Sequence, residues 1–433
     1  MKLSVLVLFL FLPFSFCLAQ TSTIVSVNEK VNFVRPEDFG ANAFDDKDDS
    51  PAINQAVAYA MRTEGITAIN FGGGKYIIGS DINANYKGKG NLVRKGILFN
   101  GSNSTIFLKG GRFNILTDIV SQQDTKFSFK NFYFYTDNVS RPDGIYVEGA
   151  CFVDISDCIF ERCAVGIWIK SSGMNNINNC KFWGCMTGVR TYRVRDTYID
   201  KCHAYACDYG FYFEGVNDSG SDGNITLSNS VANACNQSNI TFNKVYAPVI
   251  TGVTAEQCKN NLKVISTQFG TLANSFFGPA PNSDYGMEFV QNGMSNDFWT
   301  ISNINTQDRI KFDGLRSSTI TGLSGKLVRN TRQNHAFLFS NSAFLTLSGV
   351  NVREIDTQYS MLFETSTEYI TVGQFHLDKP VMLRGQTYSI KNGFIKGGIK
   401  TDSGKYGKLM NLEFTDDSIW KSVVVRNGLI MYF

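Results

Sequence analysis

Gly144-Ile145-Tyr146-Val147, Gly166-Ile167-Trp168-Ile169, Gly188-Val189-Arg190-Thr191 and Gly210-Phe211-Tyr212-Phe213 open successive blocks, each twenty-two residues after the last. Cys158, Cys180 and Cys202 keep the same interval, as do Cys163, Cys185 and Cys207. A fixed period of this length is the mark of a solenoid.

The local pattern says which kind. Apolar residues alternate at period two, as in Val153 and Ile155 or Ile167 and Ile169, so the repeat is built of short strands. Polar turns separate them, at Asn176, Asn178 and Asn179 and at Arg195 and Asp196. Two or three strands per repeat fit one rung of a parallel β-helix, in which like residues stack at roughly 4.8 Å. Both cysteine columns then become interior ladders.

Met1 to Ala19 carries Lys2, an apolar run from Leu3, and Cys17-Leu18-Ala19 before Gln20. This reads as a signal peptide cut after Ala19 (residues 1–19), with a lipoprotein anchored at Cys17 as the minor alternative, because Phe16 is not small. The expectation is a secreted or periplasmic protein with no membrane span. Without Lys2 the 41 basic and 38 acidic residues give a net charge of +2, with no basic run, which argues against nucleic acid. Composition suits many strands and turns: 39 Gly, 35 Phe and 8 Pro.

Residues 20–95 differ from the repeats. Ser50 is positioned to cap a helix with Pro51 in its first turn, and Ile53, Val57, Ala60 and Met61 fall on one face. Such a helix would cover the apolar end of the solenoid. Asp38-Phe39-Gly40-Ala41, Asp48-Asp49-Ser50-Pro51-Ala52-Ile53 with Ala56, and Gly74-Lys75-Tyr76-Ile77-Ile78 together resemble the amino-terminal signature of the pectate lyase superfamily. The resemblance is to its rhamnogalacturonase/epimerase-like and tailspike-like branch. It implies a right-handed parallel β-helix, and activities that run from hydrolysis or β-elimination of polysaccharides to epimerisation and binding without catalysis.

The solenoid is expected over 96–433, roughly a dozen rungs and on the order of 60 Å. Ile97 and Phe99, Ile106 and Leu108, and Phe127 and Phe129 are the first inward pairs. Cys207 to Cys235 spans 28 residues, and the surplus near Val216 to Gly223 reads as a projecting loop. Asp218 and Asp222 in that loop lack the spacing of an EF-hand, so calcium is unsupported and no cofactor or metal is expected. Later rungs stay legible at offsets of 24 (Phe337 to Met361) and 25 (Leu345 to Ile370), with further turns at Ile390 to Ile395 and Leu409 to Phe414. Stacked cysteines approach disulfide distance, but parallel side chains meet poorly for an S–S bond; buried free thiols are the favoured reading. Their spacing is a repeat period without accompanying histidine ligands, not a zinc motif.

Chemistry belongs to the outward positions. After each repeat glycine these are Tyr146 and Glu148, Trp168 and Lys170, Arg190 and Tyr192, Tyr212 and Glu214. Aligned, they make a stripe of rings and charges suited to a glycan; the alternative is that the rings lie beneath neighbouring chain. A second stripe, Ile159 and Glu161, Lys181 and Trp183, His203 and Tyr205, is an equal candidate for the groove. Asp157, Asn179 and Lys201 read as structural turn residues.

Hydrolysis needs two carboxyl groups about 5 to 9.5 Å apart. Glu148 and Glu214, three rungs apart, stand on the order of 14 Å apart. Elimination needs a base beside a uronate and a cation to hold the enolate-like charge, roles open to Arg190, Lys170 and Tyr192 with Glu214 orienting Arg190. Tyr146, Trp168, Tyr212 and Trp183 are the candidate sugar contacts. Of the polygalacturonase-like motifs Asn-Thr-Asp, Asp-Asp, Gly-His-Gly and Arg-Ile-Lys, only Arg309-Ile310-Lys311 has a counterpart, Asp-Asp occurring only outside the relevant region, and the chain has three histidines, so that mechanism is not implied. The reading is an exported all-β solenoid that cleaves a polysaccharide by elimination or hydrolysis, or else binds or assembles one without cleaving it.

Overall fold

The computed structural model describes residues 32–85, 96–117, 126–149, 151–216, 223–281, 283–326, 334–353, 355–364 and 366–379, with strands only between 381 and 432. The signal-like segment, Asp218 and Asp222 lie outside them. Each rung contributes three strands, here assigned to a first, second and third face. In one rung these are Val165–Lys170, Gly173–Asn178 and Lys181–Trp183. The first faces form a 14-stranded sheet that is parallel from Ile82–Asn85 to Val381–Leu383. The expected register holds strand by strand: Trp168 pairs with Tyr146 and Arg190, and Arg190 with Tyr212.

Alternation puts Ile167, Ile169, Val189, Phe211 and Phe213 in the interior, all fully buried. Rings stack there along the axis, Phe134 on Phe160 at 4.8 Å and Phe160 on Phe182 at 5.3 Å. The glycine column follows from this packing, because a Cβ on Gly166 would lie 2.6 Å from the Phe182 ring and 2.7 Å from the Gly188 carbonyl oxygen. The eight described cysteine side chains are buried free thiols. Cys180 and Cys202 reach carbonyl oxygens of the preceding rung, each at 3.6 Å, and burial pushes both thiols up. Corners are turned by left-handed residues such as Asp157 (φ 56°) and Asn179 (φ 50°), joined by a side-chain hydrogen bond of 2.7 Å.

Helix α1, Ser50–Arg62, buries Ile53, Val57 and Ala60 against the first strands, as expected of an end cap. The cap detail differs. Asp49, not Ser50, is the N-cap residue, and the Asp49 carboxylate, buried by the strand beside it, accepts from the amides of Asn42 and Ile77. The far end also differs from expectation. Asn392–Gly397 runs antiparallel to Glu368–Leu377, and Met410–Asp416, Ile419–Arg426 and Leu429–Tyr432 form an antiparallel meander in place of further rungs. A parallel stack ends in a row of unpaired N–H and C=O groups, and a chain that folds back satisfies them.

The sequon at Asn239-Ile240-Thr241 is structural. Asn239 is fully buried, and its amide donates to the Glu256 carbonyl oxygen and to Asn261 Oδ1, each at 2.9 Å.

Candidate functional site

The first face carries the ring-and-charge stripe on its outer side. Arg190 sits between two rings, its guanidinium carbon 5.0 Å from the Trp168 ring and 5.8 Å from that of Tyr212. Its terminal nitrogen is 3.7 Å from Glu214, and the neighbouring column repeats the motif with Lys170 3.4 Å from Glu148. Tyr192 pairs in register with both Lys170 and Glu214. Seven of the expected residues therefore come together on one face with Tyr146.

Two buried donors in this stripe have no acceptor among the described residues: Trp168 Nε1 and Arg190 Nε. A donor buried without a partner is costly, on the order of 1–3 kcal/mol, so both are positions where an acceptor from outside would be favoured. The Tyr212 hydroxyl is pushed up by burial and by the Glu214 carboxylate. Tyr146 is the ring most deeply set, 7% exposed, because Arg112 covers it with its guanidinium carbon 4.3 Å from the ring centre. Arg112 is held in turn by Asp143 at 2.5 Å. The Tyr146 hydroxyl donates to Glu148 at 2.8 Å, and burial with that bond pushes it up to about 12. Tyr146 thus forms the edge of the stripe rather than an open platform. Arg112 stands one rung before Gly144, in the column that glycine holds through the regular block, and nothing local in the sequence singles it out.

Trp183 is not brought to this face. It stands on the third face, 40% exposed, paired in register with Glu161 and Tyr205. Glu161 accepts a short hydrogen bond from the Tyr133 hydroxyl.

The stripe also runs further than expected. Beyond Tyr212 the same column continues through Thr241, Lys263, Glu288 and Lys311. Glu288 is half-buried between the two lysines, and burial pushes its carboxyl up. The signal was present as Leu262-Lys263-Val264, Met287-Glu288-Phe289 and Ile310-Lys311-Phe312, apolar residues flanking a charge at intervals of 25 and 23. The pattern is hard to read because the spacing changes and, of these three rungs, only that of Glu288 keeps the glycine, at Gly286.

Arg309 of the Arg-Ile-Lys tripeptide is fully buried in the wall, donating to the Ser283 carbonyl oxygen at 3.2 Å beneath the Tyr285 ring. Tyr285 Oη and His335 Nε2 are 2.9 Å apart, and burial with the nearby Arg309 charge brings His335 down to about 4. This cluster is interior structure, closed to a polymer. Among the described residues no group of three or more His, Cys, Asp or Glu is placed to hold a metal ion, and no helix is long and apolar enough to cross a membrane.

Residues 95–277 match the model of the right-handed β-helix region. No protein of curated function matches the sequence. Among solved structures, the surface adhesin PfbA of Streptococcus pneumoniae superposes with a TM-score of 0.53 at 12% identity, covering 93% of this chain and 99% of that one. Tailspike protein 3 of bacteriophage CBA120 gives 0.53 at 14%, covering 92% and 68%. The catalytic domain of a GH87 alpha-1,3-glucanase in complex with tetrasaccharides gives 0.51 at 11%, covering 78% and 69%. At such identities the likeness concerns the fold. The chain is a right-handed parallel β-helix protein, and its resemblance to the pectate lyase superfamily holds at the level of that architecture.

Proposed function

We propose that this is an exported protein that engages an acidic polysaccharide along the outer side of its first face and cleaves it by β-elimination. The carrying observation is Arg190, held between Trp168 and Tyr212 with its Nε buried and without an acceptor among the described residues. A guanidinium fixed between two rings offers a planar fork for a carboxylate and apolar surfaces for the adjoining sugars. Arg190 would bind the uronate carboxylate and stabilise the charge that develops when the neighbouring carbon loses its proton. Tyr192 and Lys170, adjacent in register, would exchange that proton. The C–H bond breaks, a carbon–carbon double bond forms, and the glycosidic oxygen departs with a proton. Tyr146, Tyr212 and, further along, Lys263 and Lys311 would hold neighbouring units. Trp183 would serve a separate contact on the third face.

Hydrolysis fits less well, since Glu148 and Glu214 are three rungs apart, on the order of 14 Å. Binding without cleavage is the second reading. The pairing of Lys170 with Glu148 and of Arg190 with Glu214 favours it, because it ties Lys170 and both glutamates to one another rather than to a substrate. The neighbours serve both readings, one an adhesin and another a glucanase, so the fold does not choose.

The test follows reducing ends and the ultraviolet absorbance of an unsaturated uronate together, over a panel of acidic and neutral polysaccharides. Both signals rising, and both lost in Arg190→Ala, supports elimination. Reducing ends alone mean hydrolysis. Retention of polymer with neither signal means binding only.

A further inference from the structure

The second face changes character at its middle. From Gly223 onward its outward positions become uncharged and mostly hydroxylated, in pairs two residues apart over seven successive rungs in register: Thr226 and Ser228, Thr300 and Ser302, Thr319 and Thr321, and Thr346 and Ser348 carry two hydroxyls each, while Val249, Ala273 and Gly373 each take one place of a pair. Among the described residues from 224 to 373, no Lys, Arg, Asp or Glu stands on this facet or on the two corner columns that border it. An ordinary solvated surface is about a quarter to a third charged. Charge returns one position outside the corner, at Asp297 and Arg316.

One bordering corner carries phenylalanines at three of its rungs, with Ser317 between Phe298 and Phe344 and with Asn224 and Ala247 in the earlier rungs. Phe269, Phe298 and Phe344 are 43%, 51% and 59% exposed, and all three hold left-handed backbones at φ 56°, 56° and 55°. A bulky side chain in that conformation costs roughly 1–2 kcal/mol, and asparagine or glycine fits it better. The opposite corner obeys the rule, with Asn274, Asn303, Gly322 and Gly349. Solvation accounts for neither the strain nor the exposure of the rings. Phe269 and Phe298 stack at 4.8 Å with 15° between their planes, so their faces cover each other and their edges point outward. Sugars dock on ring faces, so such edges suit apolar packing better than a glycan.

We propose that this facet is the contact between two copies of the chain. Hydroxyl groups donate and accept, so a Thr/Ser sheet face is complementary to itself, and the absence of charge removes the repulsion that usually forbids like against like. A two-fold axis along the strand direction lays facet on facet and Phe corner on Phe corner, as two packed sheets lie about 10 Å apart. Seven rungs by the five residue steps from corner to corner give a patch of roughly 30 by 17 Å. That is about 500 Å² in projection per copy and about 1,000 Å² for the pair, where specific interfaces begin. The glycan stripe on the first face stays open in this arrangement, so the two readings are independent.

The experiment is sedimentation velocity of the intact protein from low micromolar to near-millimolar concentration. Wild type is expected to shift from monomer to dimer. Thr300→Lys/Thr319→Lys/Thr346→Lys, which sets lysines against lysines, is expected to lose the dimer while keeping the melting transition. Phe298→Asn, with a residue that suits the left-handed backbone, is expected to weaken the dimer with the melting temperature unchanged or raised. The proposal is overturned if wild type stays monomeric throughout, or if the lysine variant dimerises as wild type does. It is equally overturned if the protein is monomeric and the facet variants lose retention on immobilised polysaccharide, which would make the facet a glycan surface.

Discussion

The rungs from Gly144 to Glu214 and those from Tyr285 to Ser340 share one architecture, yet their walls are filled by opposite means. In the first block the residue preceding the inward pair is glycine, and cysteines close the corners. In the second the equivalent column passes through Gly286 to Arg309 and Ala336, beside Tyr285, Asp308 and His335, all buried. Where identical small residues stack, the solenoid is held by shape. Where they do not, it is held by buried polar groups that must satisfy one another.

The sharpest way to break the comparison is Arg309→Ala. The Asp308 carboxyl, already pushed up by burial, would lose its nearby cation, and the Ser283 carbonyl its donor. Losing a hydrogen bond from a charged donor costs about 1.5–3 kcal/mol, and the Asp308 carboxyl left without its nearby cation adds to it, so denaturant unfolding should show a loss of at least that order.

His335 comes next. Its folded-state value lies near 4 against an ordinary 6.5, so the unfolded chain binds more protons between those values. Its contribution is whole above about pH 6.5 and is lost as pH falls to 4, up to about 3 kcal/mol by the size of the shift. Tyr285 and Asn334 hydrogen-bond its two ring nitrogens, and the Arg309 charge lies nearby. His335→Gln should flatten the stability profile across that window, measured by urea midpoints at successive pH values.

In the regular block the matching substitution is Gly166→Ala. Its Cβ meets the Phe182 ring and the Gly188 carbonyl, and overpacking of this kind costs about 1–3 kcal/mol. Smallest of all is Cys180→Ser. The Sγ already faces the Ile155 and Asn178 carbonyl oxygens, so a hydroxyl keeps partners and the loss should be about 1 kcal/mol. With the Cys180 and Cys202 thiols pushed up by burial, alkylating reagents should label the native protein at neither position until it unfolds.

What could be read from the sequence follows the same division. The register of Tyr146, Trp168, Arg190 and Tyr212 was legible because Gly144 to Phe213 repeats without slippage, and a two-residue alternation fixes which side chains face out. The offsets of 24 and 25 from Phe337 and Leu345 also correspond to real pairings. Three things were not legible. Arg112 covers Tyr146 from a preceding rung, a contact no local pattern encodes. Lys263, Glu288 and Lys311 align although the spacing between them changes. The antiparallel strands at the far end alternate as rungs do, and alternation alone does not say which way a strand runs.

The account stands or falls on Arg190. Retention of an acidic polysaccharide by wild type and by Arg190→Ala, with melting temperatures recorded alongside, tests it most directly. The account predicts that wild type binds, that the variant loses at least tenfold in affinity at unchanged melting temperature, and that added salt weakens the wild type. Equal retention by both proteins, or no retention by either across the panel, would contradict it.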